Sequence, residues 1–102
     1  MTGFLGQRQG VHTRDATIST ATVIARPTGF DNADTLVLQP FAQNVYLTFD
    51  ATTPSSTNGF ELTAGVLYTL DVGQDVTITV IEKTATATIQ WQWFRQKKDT
   101  DV

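Results

Sequence analysis

Threonine makes up about a fifth of this chain, and threonine, valine and isoleucine together about a third. Such β-branched side chains are stiff about χ1 and fit a pleated surface better than a helix. Their order along the chain says the same. Ala85, Ala87, Ile89, Trp91 and Trp93 alternate with Thr84, Thr86, Thr88, Gln90 and Gln92, which is the period of a strand with one apolar and one wet face. No segment of roughly ten residues or more shows helical period. A chain of this kind folds as an all-β domain.

Further strands follow from the same reading. Alternation runs from Ala16 to Ala25, with Ala21, Val23 and Ala25 on one face and Thr20, Thr22 and Ile24 on the other, and ends at Arg26-Pro27-Thr28-Gly29. Thr35 to Gln39 is a short apolar strand closed by Pro40. Val45, Leu47 and Phe49 form a core face opposite Tyr46, Thr48 and Asp50. The Thr/Ser/Pro-rich stretch from Asp50 to Asn58 is a surface loop, Asn58-Gly59 suits positive φ, and Phe60 to Thr63 is the next strand. Beyond the Ala64-Gly65 turn, Val66, Tyr68, Leu70 and Val72 share a face. After a turn around Gly73, Val76, Ile78 and Val80 oppose Thr77 and Thr79. Glu82-Lys83 fits a hairpin connection into the last strand. The expected fold is an antiparallel two-sheet β-sandwich or jelly roll of about seven strands.

Three regions follow from composition. Residues 1–15 carry Gly3, Gly6 and Gly10 among polar side chains and read as an extended N-terminal arm, residues 16–94 as the sandwich, and residues 95–102 as a charged C-terminal tail. With 102 residues, 40% hydrophobic and 17% charged, the chain has apolar surface for one core. No apolar run approaches the roughly 18 residues of a membrane span, and the first ten residues lack a signal-peptide apolar segment.

Charge is segregated. Up to Phe30, Arg8, Arg14 and Arg26 stand against Asp15; residues 31–82 hold seven acids and no Lys or Arg; from Lys83 onward, Lys83, Arg95, Lys97 and Lys98 oppose Asp99 and Asp101. An acidic body with basic ends suits ends that lie on the acidic flank of another copy or of a larger partner. It argues against nucleic acid, whose phosphates need clustered bases.

The inventory for bond-making chemistry is thin, with no Cys and one His. His12 with Ser19, Ser55 or Ser56 lacks any nucleophile-elbow pattern. The acid pairs Asp31/Asp34 and Asp71/Asp75 fall in turns, where Asp is favoured for its own sake. Asp31, Asn32 and Asp34 offer oxygens suited to calcium, but without an EF-hand pattern. Trp91 and Trp93 continue the face of Ala85, Ala87 and Ile89, which assigns them to the core before a sugar-stacking platform. No enzyme activity, metal or cofactor is expected.

The segment Val45-Tyr46-Leu47-Thr48-Phe49-Asp50-Ala51-Thr52-Thr53-Pro54, with Thr57-Asn58-Gly59-Phe60-Glu61-Leu62-Thr63-Ala64-Gly65 after it, resembles small structural proteins encoded by tailed bacteriophages. The resemblance lies in an Asp-x-Thr-Thr-Pro loop, an Asn-Gly-Phe strand start, a Leu-x-x-Gly turn and a closing Thr/Ala strand, here Thr84 to Trp93. It covers about the last half of the chain and leaves out the arm. It implies a virion component with a β-sandwich fold. A cement or decoration protein on the capsid exterior fits that implication best, with the major capsid protein and other copies of itself as partners and a homotrimer favoured by local capsid symmetry. The contact residues expected are Phe4, Leu5, Arg8, Val11 and Arg14 in the arm and Trp93, Phe94, Arg95, Lys97 and Lys98 at the other end. The alternatives are a tail, neck or head-fibre adaptor, and a carbohydrate-binding module using Trp91, Trp93 or Tyr46.

Overall fold

The computed structural model of the chain describes residues 7–29 and 32–95. Eight strands follow in order: β1 (Gln7–Asp15), β2 (Thr22–Val23), β3 (Thr35–Phe41), β4 (Val45–Thr48), β5 (Phe60–Leu62), β6 (Tyr68–Asp71), β7 (Thr79–Glu82) and β8 (Thr88–Arg95). They form two four-stranded antiparallel sheets, A in the order β1-β8-β3-β6 and B in the order β2-β7-β4-β5. From β2 onward successive strands pass between the sheets or return beside an earlier strand, which is the order of a jelly roll.

The core lies between the sheets. Leu36 and Leu38 of β3 and Ile89 and Trp93 of β8 meet Val45 and Leu47 of β4 and Val80 of β7, with Ile18, Ile24, Leu62, Val72 and Ile78 closing the ends. The Ala87, Ile89, Trp91, Trp93 face points inward as the alternation requires; Trp93 is 2% exposed and Trp91 packs half-buried against the core.

Several elements differ from the sequence expectation. Gln7–Asp15, read as part of an extended arm outside the sandwich, is the edge strand of sheet A and pairs with β8 from Gln7↔Arg95 to Asp15↔Ile89. Its irregular spacing hid it. The register slips between Gln9 and Thr13, and Gly10 makes the slip with φ +86°; a methyl group there would stand 2.5 Å from Pro27 Cγ. The strand expected from Ala16 to Ala25 contracts to Thr22–Val23, with Ile18 and Ile24 plugging the core from irregular backbone. Strand β3 continues through Pro40, which its register to β6 permits: that pairing covers only Thr35 to Leu38, so no ladder partner awaits the missing N–H. The Glu82-Lys83 connection is no hairpin, because β7 belongs to sheet B and β8 to sheet A.

One buried hydroxyl, Thr79 Oγ1 on β7, has no hydrogen-bond partner among the described residues. A desolvated, unpaired hydroxyl costs about 1–3 kcal/mol. Thr79→Val keeps the shape and removes that group, and should raise stability by about 1 kcal/mol in urea denaturation; an unchanged or lowered midpoint would show that the hydroxyl is satisfied.

Candidate functional site

The face of sheet A that looks away from the core has an unusual composition. Val37, Gln39 and Phe41 of β3 and Gln90, Gln92 and Phe94 of β8 share it by period two, and all six are half-buried and uncharged. Such a face is normally where a sandwich places its charges. Instead, amides cross-link the strands. Gln90 Oε1 accepts from His12 Nε2 at 2.8 Å and from Arg14 Nη2 at 3.2 Å. Gln90 Nε2 donates to Gln39 Oε1 at 2.9 Å, and Gln39 Nε2 to the Gly65 carbonyl, also at 2.9 Å. A carbonyl oxygen only accepts, so His12 carries a proton on Nε2 in this arrangement. The Arg14 guanidinium lies 5.0 Å from the centre of the Phe41 ring. Beside this chain of bonds, His12, Val37, Gln39, Leu67, Gln92 and Phe94 line a shallow depression of about 120 Å³. Leu67, 63% exposed, forms its rim.

Sheet B's outer side is different. Lys83 Nζ donates to Glu61 Oε2 at 2.9 Å and Asn44 Nδ2 donates to the same oxygen at 2.7 Å. Asn44 first, then Lys83, holds the Glu61 carboxyl below its ordinary value, and Glu61 raises Lys83. Asp50 is lowered by the Thr52 hydroxyl and then the Thr52 amide, at 2.6 and 3.2 Å from Oδ1. Depressed carboxyl values stabilise the fold fully above the unfolded-state value of roughly pH 4, and this contribution is lost as pH falls through the folded value. Asp50→Asn combined with Glu61→Gln should therefore destabilise at pH 7 and matter less at pH 3. An equal penalty at both pH values in urea denaturation would exclude the ionised forms as its source.

A second exposed feature lies where β4 ends. Phe49 follows Val45 and Leu47 in parity, and Phe60 pairs opposite Leu47, so both belong to the inward face; yet Phe49 is 38% and Phe60 62% exposed. Phe49 was expected in the core, and Thr48 is buried in place of a wet residue. The cause is position. Phe60 opens the edge strand β5, beyond the cover of the opposite sheet, and the two rings meet each other instead, with centroids 5.6 Å apart at 56°. Gly59, at φ +127°, lets the chain pass the Leu47 carbonyl, which a methyl group would approach to 2.7 Å.

Of the contact residues expected from sequence, Val11 is 73% exposed at the β1 bulge, Phe94 belongs to the uncharged patch of β3 and β8, Arg14 borders that patch from β1 and Arg95 is exposed at the end of β8. Arg8 contributes backbone to β1, opposite Phe94. Phe4, Leu5, Lys97 and Lys98 lie outside the described residues, as does Asp31 of the calcium reading. Trp93 is corrected: it is buried, donates from Nε1 to the Ala25 carbonyl at 3.0 Å and carries the Arg26 guanidinium 4.7 Å from its ring centre. It is a core residue and no surface anchor. Among the described residues there is no group of three or more His, Asp or Glu placed to hold a metal ion. Gln39, Gln90, Gln92, Val37 and Leu67 were not singled out from sequence, although Gln90 and Gln92 standing where Thr84, Thr86 and Thr88 set the outward face was a usable signal.

No protein-family description, curated protein or solved structure matches this chain.

Proposed function

We propose that the chain is a non-enzymatic structural protein of a tailed-bacteriophage virion, a capsid cement or decoration protein that lies on the major capsid protein through the outer face of sheet A and strand β1. The observation that carries this reading is the uncharged centre of that face, the two strands β3 and β8, with Arg14 of β1 and Asp71 of β6 at its margins. Val37, Gln39, Phe41, Gln90, Gln92 and Phe94 form a half-buried surface of amide and apolar groups, and the centre of a protein interface is likewise depleted of charge and enriched in aromatic residues. Two of its three amides, Gln39 and Gln90, are already held by hydrogen bonds, so their ordering costs little further side-chain entropy on docking. The exposed Val11 and the Arg14 guanidinium extend the surface along an edge strand. The jelly roll itself is shared by capsid domains, lectins and cupins and selects none of them; the phage-like Val45 to Gly65 segment supplies the class.

The test is to label intact virions of the encoding phage with an antibody against the chain and to sediment the purified protein with expanded empty capsids. Signal over the whole shell, with saturable co-sedimentation, is expected. Signal confined to one vertex or the tail would replace the reading with an adaptor role, and its absence from virions would end it.

A further inference from the structure

The Phe49–Phe60 pair serves none of the surface just assigned, and the groups around it are specific. With Thr48, Asp50, Asn58 and Gly59 the two rings line an open cleft of about 370 Å³. The polar atoms it offers are acceptors. Asp50 presents a carboxylate, and Asn58 spends its amide nitrogen on Thr52 Oγ1 at 2.9 Å and the Thr53 carbonyl at 3.1 Å, which leaves Oδ1 without a donor among the described residues. The loop is held by its own bonds: the Thr52 amide and hydroxyl to Asp50 Oδ1, Thr48 Oγ1 to the Thr52 carbonyl at 2.7 Å, and a Ser55–Asn58 backbone pair. The acceptors are thus placed before any partner arrives. Residues 31–82, which carry every lining residue of the cleft, contain seven acids and no Lys or Arg, and the nearby Glu61 is paired with Lys83.

We propose that this cleft is a receptor for an arginine side chain on a basic segment of a partner protein, with the guanidinium against the Phe49 and Phe60 rings and its N–H groups on Asp50 and Asn58 Oδ1. Aromatic faces attract cations through the ring quadrupole. A planar guanidinium both stacks and donates in a fork, whereas an ammonium does not stack. The excess of acids in residues 31–82 and the Asp50 carboxylate favour the approach of a basic segment. This site is separate from the sheet A surface and does not depend on the capsid reading.

The experiment titrates isotope-labelled full-length protein with acetyl-Gly-Arg-Gly-Arg-Gly-amide, its lysine and glutamate counterparts and a panel of neutral oligosaccharides, followed by NMR. The arginine peptide should move the Phe49, Asp50, Asn58 and Phe60 resonances, and more tightly than the lysine peptide. Phe60→Ala and, through the lost charge, Asp50→Asn should each weaken it about threefold to fivefold, with the spectrum away from the 48–60 loop native. Several results would overturn the proposal: shifts spread over all acidic residues and indifferent to Phe60→Ala, an equal response to the glutamate peptide, or an oligosaccharide moving the same resonances. Self-association of the wild type that Phe60→Ala abolishes would also overturn it, by assigning the cleft to a second copy.

Discussion

Arg26→Ala should destabilise the fold by about 4 kcal/mol, the largest effect expected of any single polar substitution here. The Arg26 side chain closes one end of the sandwich. Nε donates to the Ala33 carbonyl at 2.7 Å, and Nη2 donates to the carbonyls of Val72 and Gly73 at 3.1 and 2.8 Å. It thereby ties the segment after β2 to the residues just before β3 and to the turn after β6, more than forty positions on, while covering the buried Trp93 ring. Hydrogen bonds to a charged donor contribute roughly 1.5–3 kcal/mol each, and removing the side chain leaves the part-buried Val72 carbonyl without this donor and the Ala33 carbonyl with Gln74 Nε2 at 3.3 Å. Arg26→Lys keeps the charge but cannot fork between separate carbonyls, so it should recover less than half of the loss. Urea denaturation of the three proteins is the measurement. A loss below about 1 kcal/mol for the alanine variant would mean that water replaces the guanidinium without cost.

Leu67→Asp should weaken capsid binding by about a hundredfold while leaving stability within about 0.5 kcal/mol. The residue is exposed at the rim of the sheet A depression, so the folded monomer tolerates a carboxylate. A docked partner would have to bury that charge unpaired, which costs several kcal/mol. Val23→Asp, at a similarly exposed apolar position on sheet B, supplies the control and should bind as the wild type does. Co-sedimentation with expanded capsids reads both. Equal binding by the Leu67 variant would remove sheet A from the interface, and loss of binding by both variants would point to net charge as the cause.

Local pattern carried much of this architecture. The face of Ala87, Ile89 and Trp93 is inward as read, the Gly65 turn and the Gly73 turn fall where expected, and Gly59 takes positive φ. Period-two alternation specifies a strand's faces without reference to any other strand. Where burial was decided by a neighbour, the pattern misled. Phe49 keeps the parity of Val45 and Leu47 but lies past the covering sheet, and Gln7–Asp15 has no clean alternation because the Gly10 bulge shifts it midway.

The candidate surfaces divide in the same way. Composition made the chain all-β, and the order of its charges made residues 31–82 acidic; both are sums over residues and need no coordinates. Only the tertiary structure brought His12, Arg14, Gln39 and Gln90 into one chain of hydrogen bonds, since the participants come from three strands up to 78 positions apart. It alone turned Arg26 from a turn residue into a clamp, and it decided for Trp93 between the core that its alternation indicated and the contact role also expected of it. A side chain's type fixes what it can bond to. Which partners stand within reach is set by sheet order, and in this jelly roll every neighbouring pair except β4 and β5 joins strands that are not consecutive in the chain.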